Sequence, residues 1–208
     1  GITKTIEYIR KKYFWVNFTK DIISFIRACF ICQKNKIFRG PLSFNFPLNG
    51  DEFSKAKFKH VAIDFFVGLA LPNDRGFTNV LGIFDYCTKF VRFIPTKSRA
   101  SKHLWDTFQE SWISIFGDPR IITSDNALEI KNGTFKENCR SRDIASQLSG
   151  LKSHKQNGLV ERSFRWLNEH LMMFFSTNGN KWKGWSKEVY KISQRWNSPY
   201  NTSIQATP

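Results

Sequence analysis

FKHVAIDFFVGLALPNDRGFTNVLGIFDYCTKFVRFIP, residues 58–95, decides the fold. It contains three strand-like runs rich in Val, Ile and Phe: Phe58 to Leu69, Thr78 to Tyr86 and Phe90 to Pro95. Asn73-Asp74-Arg75-Gly76 and Cys87-Thr88-Lys89 read as the turns between them. Helical and strand patterns alternate downstream. Leu104, Phe108, Trp112 and Ile115 recur at 4-4-3 spacing, and Gly117 and Pro119 end that helix. Arg120 to Ser124 reads as a short buried strand, and a weaker strand lies near Ala145–Leu148. A long helix is predicted from about Gly158 to Phe175, its apolar stripe being Val160, Phe164, Leu167, Leu171 and Phe174, and a last helix covers roughly Trp182 to Trp196. A three-strand meander followed by alternating helices and strands predicts an α/β layer fold with a mixed sheet.

Upstream, Ile6, Ile9 and Tyr13, then Ile22, Phe25 and Ile26, give residues 4–28 helical spacing, with Thr19 or Asp21 as a start signal. Gly40, Pro41, Pro47 and Gly50 make the stretch from Arg39 to Asp51 read as a linker. The 208 residues suffice for one full-sized domain plus a smaller attachment. A hydrophobic share of 41%, with 21 Phe and seven Trp, excludes a disordered tail. The net charge of +15 favours a polyanionic partner. That surplus is densest at the start, where residues 1–50 carry nine Lys/Arg against two Asp/Glu. No apolar run approaches the ~20 residues of a membrane span, and GITKTIEYIRKKY lacks the apolar stretch of a secretory signal, so the expectation is a soluble intracellular protein.

Three carboxylates stand where solvated surface charges are not expected. Asp64 lies inside the apolar run HVAIDFFV, where a charge is costly unless paired or bound to a cation. Asp125 follows RIITS, at the carboxyl end of a strand, where open α/β sheets place ligands. Glu161 falls in the first turn of the long helix, one residue from its apolar stripe. Each also has a plain structural reading: an ion pair for Asp64, a turn or cap for Asp125-Asn126, a favourable helix dipole for Glu161. Together, two strand-borne Asp and one helix-borne Glu can converge at a sheet edge and hold hard divalent cations.

Thirty-five residues separate Asp125 from Glu161, and the surrounding words carry a resemblance. FDYCTKFVRFIPTKS (84–98), FGDPRIITSDNA (116–127), HKQNGLVERSFRWLNEHL (154–171) and WNSPYNTSIQATP (196–208) resemble, in order, four segments of retroviral and LTR-retrotransposon integrases, the gypsy-like branch fitting best. The resemblance covers essentially the whole chain and implies an RNase H-like five-stranded mixed sheet flanked by helices. It implies Asp64, Asp125 and Glu161 as catalytic ligands of Mg²⁺ or Mn²⁺. The implied activity is metal-dependent polynucleotidyl transfer that processes retroelement DNA ends and joins them to target DNA, in the nucleus (also the cytoplasm), by a homo-oligomer (dimer or tetramer). Two positions depart from the family pattern: Ala127 stands where Gly is usual and Lys155 where Pro is common. They keep open a second reading, a domesticated and catalytically silent DNA- or protein-binding module.

Cys29 and Cys32 form a C-x-x-C, by itself a weak zinc signal. The stretch from Tyr13-Phe14-Trp15 to Cys29-Phe30-Ile31-Cys32-Gln33-Lys34 is similar to the second half of the integrase His-His-Cys-Cys zinc domain. The resemblance implies Cys29 and Cys32 as Zn²⁺ ligands whose two His partners are expected upstream, since no His precedes His60. Two small buried residues in a helical hairpin fit the same pair. Cys87 and Cys139 read as buried apolar fillers. Three regions are expected: 1–38, a helical half of the zinc domain; 39–54, a linker; and 55–208, the catalytic core. On the Glu161 helix, Asn157, Arg165 and Asn168 share the Glu161 face and either contact DNA or form a solvated face, with Lys155 beside them. His154 reads as a turn residue.

Overall fold

The protein is described by a computed structural model covering residues 2–35, 56–67, 69, 75–124, 133–148, 158–179 and 183–208. Three short helices come first: α1 (Ile2–Arg10), α2 (Phe18–Ala28) and α3 (Phe30–Asn35). The meander follows as β1 (His60–Phe66), β2 (Asn79–Asp85) and β3 (Val91–Thr96). Next are α4 (Ser101–Phe108), a π-helical turn (Gln109–Ile113), α5 (Ser114–Phe116) and β4 (Ile121–Ser124). The chain closes with α6 (Thr134–Ser141), β5 (Ala145–Leu148), α7 (Gly158–Thr177) and α8 (Trp185–Asn197).

The sheet order is β3-β2-β1-β4-β5. β1 pairs antiparallel with β2 and parallel with β4, so it is the central strand. That position explains why it is apolar on both faces rather than alternating with polar residues. Val61 and Ile63 point to one side and pack with Leu81, Ile83, Ile122 and the α4–α6 layer. Ala62 and Phe66 point to the other and join Val80, Phe84, Val91 and Phe93 under α7 and α8. The sheet is therefore mixed and covered by helices on both faces, as the sequence predicts.

Differences from the sequence reading are local. The first strand begins at His60, because Phe58 takes a left-handed φ of 61° and turns its ring onto Phe116 at 4.3 Å and Trp112 at 5.8 Å. The helix expected across Leu104 to Ile115 contains the π-helical turn. Residues spaced by four overrun a 3.6-residue turn, and the wider turn keeps Trp112 fully buried after Phe108. Ile115 then leaves the stripe and is 53% exposed. Gly184, at φ 81°, delays the last helix to Trp185. Helix α2 starts at Phe18, before either expected start signal, while Asp21 accepts the Trp15 indole N–H at 2.7 Å. Cys139 is buried as expected, and burial pushes its thiol up to about 12, whereas Cys87 is half-buried.

The first helices rest on the rest of the fold. Helix α3 packs against α7, and the Lys4 ammonium lies over the rings of Trp166 at 5.4 Å and Trp196 at 5.0 Å. Burial holds the Lys4 pKa below the usual ammonium range.

One glycine sets how closely α7 approaches the sheet. A Cβ on Gly82 would collide with Phe84 Cζ and stand 2.9 Å from Phe164 Cε1. Phe84 is fully buried, and the half-buried Phe164 ring is packed against Phe66, Phe84 and Phe93, so neither can swing away freely. Gly82→Ala is therefore expected to destabilise the fold by about 1–3 kcal/mol through overpacking. Urea unfolding measures this, and an unchanged midpoint would show that Phe164 is not pressed against the strand.

Candidate metal and nucleic-acid site

Asp64 is the fifth residue of β1 and pairs directly across from Gly82. Directly opposed residues of an antiparallel pair share a face, and side chains alternate along the strand. Asp64 therefore belongs to the face of Ala62 and Phe66, the face covered by α7. It is half-buried, and its Oδ1 accepts the Phe65 backbone N–H at 2.8 Å.

Glu161 is exposed in the first turn of α7, one turn before Phe164. Its neighbours Leu159, Val160 and Ser163 are buried, and the Ser163 hydroxyl donates to the Leu159 carbonyl at 2.8 Å. A carboxylate in that first turn is favoured by the helix dipole. Phe164 stacks on Phe93, edges Phe84 and touches Phe66, fixing this part of the helix over the Asp64 face.

Strand β4 brings the third expected carboxylate into sequence register. Thr123 pairs with Ala62 and Ser124 with Ile63, so β4 ends one residue before Asp125, beside the strand that carries Asp64. Asp125 itself lies outside the described residues, as do Ala127, His154, Lys155 and Asn157. Among the described residues no three His, Cys, Asp or Glu side chains form a group that could hold a metal. Arg165 and Asn168 are half-buried on α7, one and two turns beyond Glu161. Cys29 sits at the break between α2 and α3 and is half-buried, not fully enclosed; Cys32 follows within α3.

The sequence reading missed two buried polar groups. His60 Nε2 lies 2.8 Å from Thr123 Oγ1, joining β1 to β4 on the α7 face, and its ring packs on Tyr86 at 4.5 Å. Asp85, at the opposite end of the meander from Asp64, is fully buried. It accepts hydrogen bonds from the Thr88 N–H at 2.8 Å, the Thr88 hydroxyl at 2.7 Å and the Phe58 N–H at 3.1 Å. These are the bonds of a turn-closing aspartate, and the Asp-x-x-Thr spacing was the available signal. A strand-borne Asp in an apolar setting is thus not by itself a metal ligand.

Residues 1–37 match the family described as Integrase zinc binding domain. The chain is 29% identical over 185 residues to the retrovirus-related Pol polyprotein from transposon 412 of Drosophila melanogaster, covering 89% of this chain and 15% of that protein. It is 24% identical over 209 residues to the transposon Tf2-3 polyprotein of Schizosaccharomyces pombe, covering 100% of this chain and again 15% of the relative. The chain thus spans about 15% of the length of the curated relatives it matches. The HTLV-2 integrase catalytic core domain in complex with magnesium superposes with TM-score 0.57 at 18% identity, over 72% of this chain and 93% of that one. A chain of the simian T-cell lymphotropic virus intasome in complex with the PP2A regulatory subunit B56 gamma gives TM-score 0.63 at 17% identity, over 100% and 72%.

The five-stranded mixed sheet flanked by helices is therefore similar to a retroviral integrase catalytic core. With the zinc-binding match and the transposon Pol relatives, the findings support a retroelement integrase.

Burial holds the Asp85 pKa above the usual carboxylate range, although the Thr88 and Phe58 donors oppose the rise. A raised folded pKa means the folded state prefers the protonated acid. Its contribution is full below the unfolded value of about 3.9 and is lost as pH rises through the folded value. Asp85→Asn should therefore gain stability relative to the parent across that window. Urea midpoints between about pH 3 and pH 7 measure the difference, and a gap that does not change with pH contradicts it.

Proposed function

We propose that this chain catalyses metal-dependent polynucleotidyl transfer, processing retroelement DNA ends and joining them to target DNA. The observation that carries the reading is the register at β1 and β4. Asp64 lies on the α7 face, β4 ends beside it immediately before Asp125, and the covering helix opens with Glu161. A half-buried carboxylate on an apolar central strand suits a cation, and three carboxylates are the hard oxygen donors that Mg²⁺ or Mn²⁺ takes. Such ions supply Lewis-acid stabilisation of an in-line displacement at phosphorus.

The chain's own residues supply placement. The β1 ladder fixes Asp64, and the Phe164 anchor fixes the first turn of α7. Arg165 and Asn168, with Lys155 and Asn157 before them, are assigned to phosphate or base edges of the DNA. Cys29 and Cys32 are two sulfur donors for a structural Zn²⁺ completed by two His ligands. The proposed division is 1–38 for the zinc-binding segment, 39–54 for a linker and 55–208 for the core. Retroelement and target DNA are the partners, a homo-oligomer is the working form, and the nucleus is the place of action.

The test is a gel assay of labelled DNA with Mn²⁺ or Mg²⁺. A branched strand-transfer product already holds its reacting groups in geometry, so its reversal should far exceed insertion of a linear end. Asp64→Asn and Asp125→Asn should each bring product to background, because the amide keeps the shape and removes the charge that holds the cation. Undiminished product from Asp64→Asn refutes the site. No product from the folded parent would favour the silent binding module.

A further inference from the structure

Strands β1, β3, β4 and β5 run in one direction, so their carboxyl ends share an edge of the sheet. The segment leaving β3 there, residues 97–102, reads KSRASK, with exposed Lys97, Arg99 and Lys102. Asp and Glu are absent from the sequence between Asp85 and Asp106, so this stretch is purely basic.

Its shape is built in. The Thr96 hydroxyl donates to the Ser98 carbonyl at 2.9 Å, the Ser98 hydroxyl accepts the Ala100 N–H at 3.1 Å, and the Thr78 hydroxyl donates to the Lys97 carbonyl at 3.3 Å. Two of the cations are seated on aromatic rings, Arg99 over Phe65 at 5.5 Å and Lys97 over Phe77 at 5.7 Å. Phe65 directly follows Asp64 in β1, so the Arg99 seat lies across the strand from the candidate metal carboxylate, on the opposite face of the sheet. A guanidinium seated on a ring keeps its full charge, and its planar fork matches the geometry of a phosphate in a bidentate way. Holding the side chain beforehand also lowers the entropy cost of that grip. Phe65 packs with the α4 side of the sheet, whereas Arg165 and Asn168 ride on α7 across the other face.

We propose that Lys97, Arg99 and Lys102 form a phosphate-binding arm that holds the DNA backbone on the α4 flank of the carboxylate edge. DNA at this edge is then gripped from both faces of the sheet. The inference rests on the proposed DNA-joining function and adds a second contact surface to it.

The experiment measures fluorescence anisotropy of a labelled duplex with the full 208-residue chain over a salt series, alongside the branched-DNA assay. Removing one cation that neutralises a phosphate should make the plot of log affinity against log salt shallower by about 0.9. Arg99→Ala should show that change, weakening roughly 3-fold less than the parent between about 50 and 200 mM salt. The Lys97→Ala, Arg99→Ala, Lys102→Ala triple variant should flatten the plot about three times as much. Arg99→Lys should keep the parent slope but bind more weakly, because an ammonium keeps the charge and lacks the bidentate fork. Parent slope and affinity in Arg99→Ala, with the parent chain active on branched DNA, overturns the arm and leaves the integrase reading standing. A lysine variant as shallow as the alanine one also overturns it, since charge is then not what the slope reports. A parent chain that neither binds with salt dependence nor reacts overturns both.

Discussion

The close approach of helix α7 to the β1–β2 pair is the constraint on which the rest depends. Gly82 has no side chain, Phe164 fills the space, and Asp64 stands directly opposite Gly82 in the ladder. A larger residue at 82 would lift the helix, and with it the turn that carries Glu161. Packing and chemistry thus meet at one point. The aromatic contacts of Phe164 with Phe66, Phe84 and Phe93 act through dispersion and burial, each modest, and together they leave the helix little freedom to slide.

From that contact the architecture follows outward. A central strand buried on both faces needs two helical layers, and the alternation of Val61 and Ile63 against Ala62 and Phe66 distributes its residues between them. The parallel neighbour β4 then has its carboxyl end beside that of β1, where ligand-binding groups of α/β sheets gather. The small helices ahead of the sheet add a separate contact. Lys4 between Trp166 and Trp196 ties the segment that resembles a zinc domain to the helix bearing Glu161. The Trp196 indole in turn donates to the Lys89 carbonyl at 3.0 Å, so this tie reaches the β2–β3 turn.

Much of this was legible in the residues. The three-strand meander, the short strand before Asp125 and the long helix opening near Gly158 all carry strong periodicity, and each element is present. What periodicity could not give was local. The π-helical turn arises because four-residue spacing and buried volume at Trp112 outweigh regular helical hydrogen bonding, and no single residue announces it. The left-handed Phe58 is set by long-range ring contacts with Phe90, Trp112 and Phe116. Asp85 passed unnoticed because a turn aspartate and a ligand aspartate look alike until their donors are known. For the candidate site, the sequence named Asp64 and Glu161 without knowing that one is half-buried in the sheet and the other exposed at the helix start. Asp125, Asn157 and Lys155 lie outside the described residues, so their places rest on sequence and resemblance.

The central claim of the proposed function is that Asp64 and Glu161 act on one cation beside the Gly82–Phe164 contact. Calorimetric titration of Mn²⁺ into the parent, Asp64→Asn, Glu161→Gln and the double variant tests it most directly. Ligands of one ion are coupled, so each single change should remove most of the binding and the double variant should lose far less than the sum of the two. Glu161→Gln binding Mn²⁺ as the parent does, or losses that simply add, would contradict a shared site.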